Sequence, residues 1–314
     1  MSKLPHACRG VRPPARLAVL IGVVIACCVA NEPARAQSRT PAVAAAPFVS
    51  DRLSVEVVGA GPDVILVPGL ASSREVWRAT ADRLKATHRV HLVQLAGFAG
   101  EAWTQGDGAF VQPEVEELAR YIRQAGLDRP AVIGHSMGGL SGLLLAQQRP
   151  DLVGRLMTVD SLPFYSALFG PTATAESARP FADQAAAMIL GADAATFRTQ
   201  QEATAETLSR TPAEQARIVA WSMASDRHAV ASAMKDVMTT DARPGLAAMT
   251  TPVTALYASD ADGGAPADGA DAIWGREYAA LPGATLIRVD GSRHFIMADQ
   301  PERFAELVDA FLAD

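Results

Sequence analysis

The sequence predicts an α/β protein: a mostly parallel, doubly wound sheet with helices on both faces and a helical lid inserted late in the chain. Three observations predict it. From Leu53 onward short apolar strands alternate with helical periods, which is the pattern of strand–helix–strand units. The strands are apolar almost without interruption, as expected where a sheet is covered on both sides. Between Asp160 and Thr250 the alternation stops, giving way to an Ala-, Thr-, Gln- and Glu-rich stretch with helical periods and no convincing strand.

In chain order, Leu53–Val58 and Asp63–Val67 read as strands on either side of a Gly59-Ala60-Gly61-Pro62 turn. Glu75–Lys85 has helical spacing, with Ser72 or Ser73 as N-cap. Val90–Leu95 is the next strand and Glu114–Gln124 the next helix. Ala131–Gly134 is an apolar strand leading directly into a helix from Ser136 to Gln148, and Leu156–Val159 follows as a strand. Helical periods recur at Phe181–Leu190 and Thr211–Met223. Val253–Tyr257 and Thr285–Val289 are the last two strands, each followed by a helical stretch, the second being Pro301–Leu312. The expected organisation is a leader over 1–36, a linker over 37–52, a core over 53–160 and 251–314, and a lid over 161–250.

The leader has a basic head (Lys3, Arg9, Arg12, Arg16), an uncharged apolar run from Leu17 to Ala30, and a small-residue site at Ala34-Arg35-Ala36. This is the pattern of a secretory signal peptide, with cleavage expected after Ala36. The apolar run is 14 residues long, short of the roughly 18–20 needed to span a bilayer core. A retained anchor is the alternative reading. Val24-Ile25-Ala26-Cys27 resembles a bacterial lipoprotein box, so lipidation at Cys27 is a second route to a tether. Export to the periplasm or medium as a soluble chain is the favoured expectation.

All three cysteines, Cys8, Cys27 and Cys28, lie in that leader, so the mature chain would have no disulfide, thiol nucleophile or cysteine metal ligand. The leader also holds five of the 28 basic residues and one of the 34 acidic ones, leaving 23 against 33. That acidic balance argues against nucleic-acid or anionic-membrane partners and suits a soluble exported protein.

Gly134-His135-Ser136-Met137-Gly138-Gly139 contains G-x-S-x-G between a predicted strand and a predicted helix. A turn that tight leaves no room for side chains two residues either side of the serine, which glycine relieves. The serine hydroxyl would then stand at the carboxyl end of the sheet, where open α/β folds place their sites. Together with Leu66-Val67-Pro68-Gly69-Leu70 and His294 near the end, the motif resembles the α/β-hydrolase superfamily over residues 53 to 314, apart from the lid.

A serine needs a neighbouring base to become a nucleophile. Of the five histidines outside the leader, only His294 follows the final strand in a loop, Asp290-Gly291-Ser292-Arg293-His294-Phe295, where the chain order Ser, acid, His expects it. His135 is expected to point away from Ser136 across the turn. The resemblance implies an acid after the strand Val253–Tyr257. Asp260 is favoured because it sits nearer the strand end, Asp262 is the next candidate, and Asp160, after the preceding strand, is the third. The family commonly has glycine after that strand and aspartate three residues later, where this chain has Ala258 and Ala261. Two backbone N–H groups, of Met137 and of Leu70, are expected to form the oxyanion hole, with Gly69 permitting the turn and Pro68 standing where relatives often carry histidine.

The expected chemistry is hydrolysis of an ester or related acyl bond of a small, apolar substrate through an acyl-serine. A cofactor-free haloperoxidase or perhydrolase on the same residues, and a non-catalytic ligand-binding relative, are the alternatives. No cofactor is implied: Gly59-Ala60-Gly61 does not extend to a dinucleotide fingerprint, and no P-loop occurs. No histidine pair has metal-ligand spacing. Phe164, Tyr165, Phe169, Phe181, Met188, Trp221 and Met223 are candidates either to line an apolar pocket or to pack within the lid.

Overall fold

The computed structural model describes residues 47–313. The expected leader, with its Ala36 and Cys27 sites, and residues 37–46 of the expected linker lie outside the described residues.

Seven strands among the described residues form one sheet: β1 (Leu53–Gly59), β2 (Asp63–Val67), β3 (Arg89–Leu95), β4 (Ala131–His135), β5 (Arg155–Val159), β6 (Val253–Ser259) and β7 (Thr285–Asp290). Their order is β1-β3-β2-β4-β5-β6-β7. β1 runs antiparallel to β3 and every other pairing is parallel. The Gly59–Pro62 turn does not join neighbours, because β3 lies between β1 and β2. At this crossing the chain runs against the loop before β3, so that a Cβ on Gly59 (φ 78°) would lie 2.3 Å from the His88 carbonyl oxygen. Only glycine fits that approach.

Helices α1 (Arg78–Leu84), α2 (Val111–Gln124) and α3 (Met137–Gln148) connect the first five strands. Helices α4 (Ala175–Gly191), α5 (Ala194–Leu208), α6 (Pro212–Ala224), α7 (Arg227–Thr239) and α8 (Arg243–Leu246) fill the interval between β5 and β6. Then come α9 (Ala267–Glu277), α10 (Ile296–Asp299) and α11 (Pro301–Ala313). A 3₁₀ turn over Arg74–Trp77 precedes α1, and Ser73 caps it by accepting from the Glu75 N–H at 3.2 Å.

Alternation along the strands splits the core in two, since successive side chains leave opposite faces of a sheet. Val64 and Leu66 pack with Trp77, Ala81, Phe304 and Val308 on one face. Ile65 and Val67 pack with Leu118, Ile122, Leu140 and Trp274 on the other. Both faces are therefore dry, which is why the strands read as continuous apolar runs.

The sequence periods did not mark α5 and α7. Helix α5 buries only Phe197 and Ala205, too few positions to show a stripe. Their caps were legible: Asp193 accepts from Thr196 N–H at 2.7 Å, and Asp226 accepts from His228 and Ala229 N–H. The last residues of the expected linker are packed, with Phe48 edge-on to Tyr121 at a ring separation of 5.0 Å.

Candidate active site

Ser136 stands between the end of β4 and the start of α3, with φ 53° and ψ −124°. A non-glycine residue in this region costs on the order of 1–3 kcal/mol and persists only where its surroundings enforce it. Here the enforcement is visible. The Ser136 N–H donates to the Val159 carbonyl at 2.9 Å, while its own carbonyl accepts from Gly139 and Leu140 at 2.8 and 3.1 Å. A Cβ on Gly134 would fall 2.3 Å from the Gly138 oxygen, and one on Gly138 would fall 2.5 Å from the Val67 oxygen. Both glycines are sterically required by the turn.

His294 lies in the loop after β7. Its Nδ1 donates to Asp160 Oδ2 at 2.7 Å, and Asp160 Oδ1 accepts from the Ala258 N–H at 2.9 Å. This corrects the expectation that Asp260 orients the imidazole. Asp260 is buried, but its two oxygens accept from Arg210 Nη1 and Arg293 Nε, each at 2.8 Å. Arg293 first and Arg210 after it hold that carboxyl below the usual aspartate range, with burial opposing. Asp262 is exposed in a short turn over Ala261–Gly263.

Strand register explains the choice. His135 pairs with Val159, so the next residues, Ser136 and Asp160, leave adjacent parallel strands at the same level. Val159 pairs with Leu256, and β6 continues to Ser259. Asp260 is thus carried three residues past the level of Asp160, about 10 Å at the rise of an extended strand.

His135 packs against the loop of His294. It is buried, its Nε2 donates to the His294 carbonyl at 3.0 Å, and the two imidazoles lie 4.5 Å apart. Burial, with the neighbouring His294 adding to it, pushes the His135 pKa well below 6.5, so this ring is neutral. The β4 strand carries it to the loop that bears His294, a contact between residues 159 positions apart that no local period records.

Met137 is the first residue of α3, where the backbone N–H has no intrahelical acceptor. Gly69 comes against the serine: a Cβ there would lie 3.0 Å from Ser136 Cβ. Leu70 follows it within the loop between β2 and the Arg74–Trp77 turn. Tyr165 closes the other side, donating to the Asp160 carbonyl at 3.4 Å. Burial pushes its phenol well up, against the opposing pull of the Ser161 and Ser136 hydroxyls.

A cavity of about 490 Å³ is lined by Gly69, Leu70, His135, Ser136, Asp160 and His294, and by aliphatic side chains from the helices between β5 and β6. Of the aromatic and methionine candidates, Tyr165 and Phe169 line it. Phe164 is buried beneath Arg243, Phe181 and Met188 are exposed, and Trp221 and Met223 pack toward the sheet. Among the described residues no group of three or more His, Cys, Asp or Glu side chains is arranged to hold a metal ion.

The parallel sheet, the strained serine turn after β4 and the histidine loop after β7 are those of an α/β-hydrolase. The chain belongs to the alpha/beta hydrolase family, whose profile matches residues 64–307. It is 35% identical over 123 residues to the pimeloyl-[acyl-carrier protein] methyl ester esterase of Vibrio atlanticus, covering 39% of this chain and 45% of that protein. The enzyme of the same name from Aeromonas salmonicida is 34% identical over 115 residues, covering 37% and 44%. The chain thus spans less than half the length of these curated relatives. Among solved structures, a hydrolase from Pseudomonas aeruginosa superposes with a TM-score of 0.69 at 21% identity, covering 83% of this chain and 94% of that one. The enol-lactonase from Burkholderia xenovorans LB400 gives 0.69 at 18% identity, covering 83% and 96%. These two likenesses establish the fold.

Proposed function

We propose that this chain is an exported serine hydrolase that cleaves an ester or related acyl bond, with Ser136 as nucleophile, His294 as base and Asp160 as the acid that orients it. The observation that carries this reading is the Asp160–His294 hydrogen bond placed beside Ser136 on a shared cavity. Asp160 holds the proton of His294 on Nδ1, which leaves the Nε2 lone pair to take the Ser136 proton. Oγ then attacks the substrate carbonyl carbon. The developing oxyanion accepts from the Met137 and Leu70 N–H groups, backbone donors whose place is fixed by the start of α3 and the loop after β2. The imidazolium returns its proton to the leaving oxygen, and a water repeats the cycle on the acyl-serine. The helices between β5 and β6 act as a cap that sets which acyl group enters. The ester chemistry named for the curated relatives supports this class over the haloperoxidase alternative.

The test is covalent labelling by a fluorophosphonate with the adduct located by mass spectrometry, alongside Ser136→Ala and His294→Ala. An adduct on Ser136 that is lost in His294→Ala supports the mechanism. A folded wild-type protein that takes no label moves the non-catalytic binding reading to the front.

A further inference from the structure

We propose that the substrate is an uncharged ester bearing a long hydrocarbon chain, which fills the cavity and leaves it across Leu168 and Phe169 onto Phe181. This deepens the proposed function and rests on it for the position of the ester bond.

The first observation is the lack of any cation in the cavity. Among the described residues its only ionisable side chains besides tyrosine are Asp160 and the histidines 135 and 294. Four of the six arginines between β5 and β6 are held elsewhere, and the other two, Arg179 and Arg198, do not line the cavity. Arg210 is bound to Asp260, and Arg217 to Glu214 and the Glu75 carbonyl. Arg227 donates to the Ile189 and Ala192 carbonyls over the face of Phe197. Arg243 is held by Asp241 and Glu277. A carboxylate or phosphate on the substrate would lose its hydration, gain no counter-charge and face the Asp160 carboxylate.

The second observation is the apolar wall and where it ends. Leu162, Leu208, Ile218, Val230, Val237 and Met238 line it. The Ser166 hydroxyl, also on the lining, is already spent, donating to the Met238 carbonyl at 2.6 Å. The wall does not stop at the surface. Leu168 and Phe169 both line the cavity and stand 54% and 72% exposed, and the Phe169 ring stacks on Phe181, itself 61% exposed. Met188, two helical turns along α4 from Phe181, continues the same stripe. Large apolar side chains exposed in continuity with a site are covered when a ligand occupies it.

The experiment compares p-nitrophenyl acetate, butyrate and octanoate with the mono-p-nitrophenyl ester of octanedioic acid, which has the octanoate chain ending in a carboxylate. kcat/KM should rise by about tenfold or more from acetate to octanoate, because each buried methylene favours binding, and should fall at least as far for the carboxylate-ended chain. Phe169→Ser and Phe181→Ser should each lower the octanoate-to-acetate ratio several-fold. Calorimetry of Ser136→Ala with methyl octanoate and with methyl hydrogen octanedioate reads the same preference without catalysis. A best rate on acetate, equal use or binding of the carboxylate-ended chain, or a ratio unmoved in both variants overturns the inference. Labelling of Ser136 would in those cases leave the proposed function standing. Absence of labelling with selective octanoate binding would do the reverse.

Discussion

Asp160 holds His294 with one carboxylate oxygen and is itself held by the Ala258 N–H through the other, at 2.7 and 2.9 Å. The carboxylate therefore cannot rotate away, and the imidazole it orients inherits the rigidity of β6. Asp160→Asn keeps the acceptor for Ala258 but presents an N–H to Nδ1, forcing the other tautomer. kcat should fall by about 10³–10⁴-fold with little change in melting temperature, checked by ester turnover and thermal denaturation. A loss under tenfold would mean that another group sets the tautomer.

Asp260 should separate from Asp160 in the same assay. It ties Arg210 of the α5–α6 corner to Arg293, the residue before His294, while Asp299 accepts from the Arg210 and Arg293 backbone N–H groups. Removing it leaves two cations that still reach water, being 43% and 22% exposed. Asp260→Ala should cost about 1–3 kcal/mol of stability, measured by urea unfolding. Its kcat should fall far less than that of Asp160→Asn, since Asp260 bonds the neighbour of His294 and not the ring.

Gly138→Ala tests the turn itself. The added methyl would meet the Val67 and Pro68 carbonyl oxygens at 2.5 and 2.6 Å, both backbone atoms that cannot step aside cheaply. A destabilisation of about 2 kcal/mol or more is expected, with loss of fluorophosphonate labelling at Ser136 in whatever fraction folds.

Glu114 gives a prediction in pH. It is buried on α2 with neither carboxyl oxygen hydrogen-bonded, and burial raises its pKa to about 8, with the Ser141 hydroxyl opposing weakly. The folded state thus keeps a proton that the unfolded chain releases near 4.5. This group's contribution is fully present below pH 4.5 and is lost as pH rises to about 8, by an amount on the order of a few kcal/mol. Glu114→Gln should flatten that part of the stability profile and raise stability at pH 9 relative to wild type, read by denaturant midpoints across pH.

Most of the architecture was legible because it is local. All seven strands fall within a residue or two of the apolar runs that announced them, since a doubly covered sheet needs such runs. Gly134 and Ser136 were legible for the same reason, since the crowding at Gly134 comes from Gly138 and Gly139 within the turn, whereas Gly138 is required by the Val67 and Pro68 carbonyls of the neighbouring loop and showed in the sequence only through the motif. Helix α5 was missed because it buries only Phe197 and Ala205, and α7 because most of its buried residues are small and consecutive, Ala229 to Ala233, so that neither writes a clear apolar stripe, although Asp193 and Asp226 cap their starts.

The sequence by itself determined the fold class, the strained serine turn and the loop histidine, each of which depends on neighbours along the chain. The tertiary structure decided which aspartate meets that histidine and that His135 lies beneath it. Both depend on register between strands far apart in sequence. His135 pairs with Val159, which sets Asp160 level with Ser136, while the extra length of β6 carries Asp260 beyond reach and into the grip of two arginines. A carboxylate's distance along the chain says nothing about its height on the sheet, because that height is fixed only when the strands hydrogen-bond.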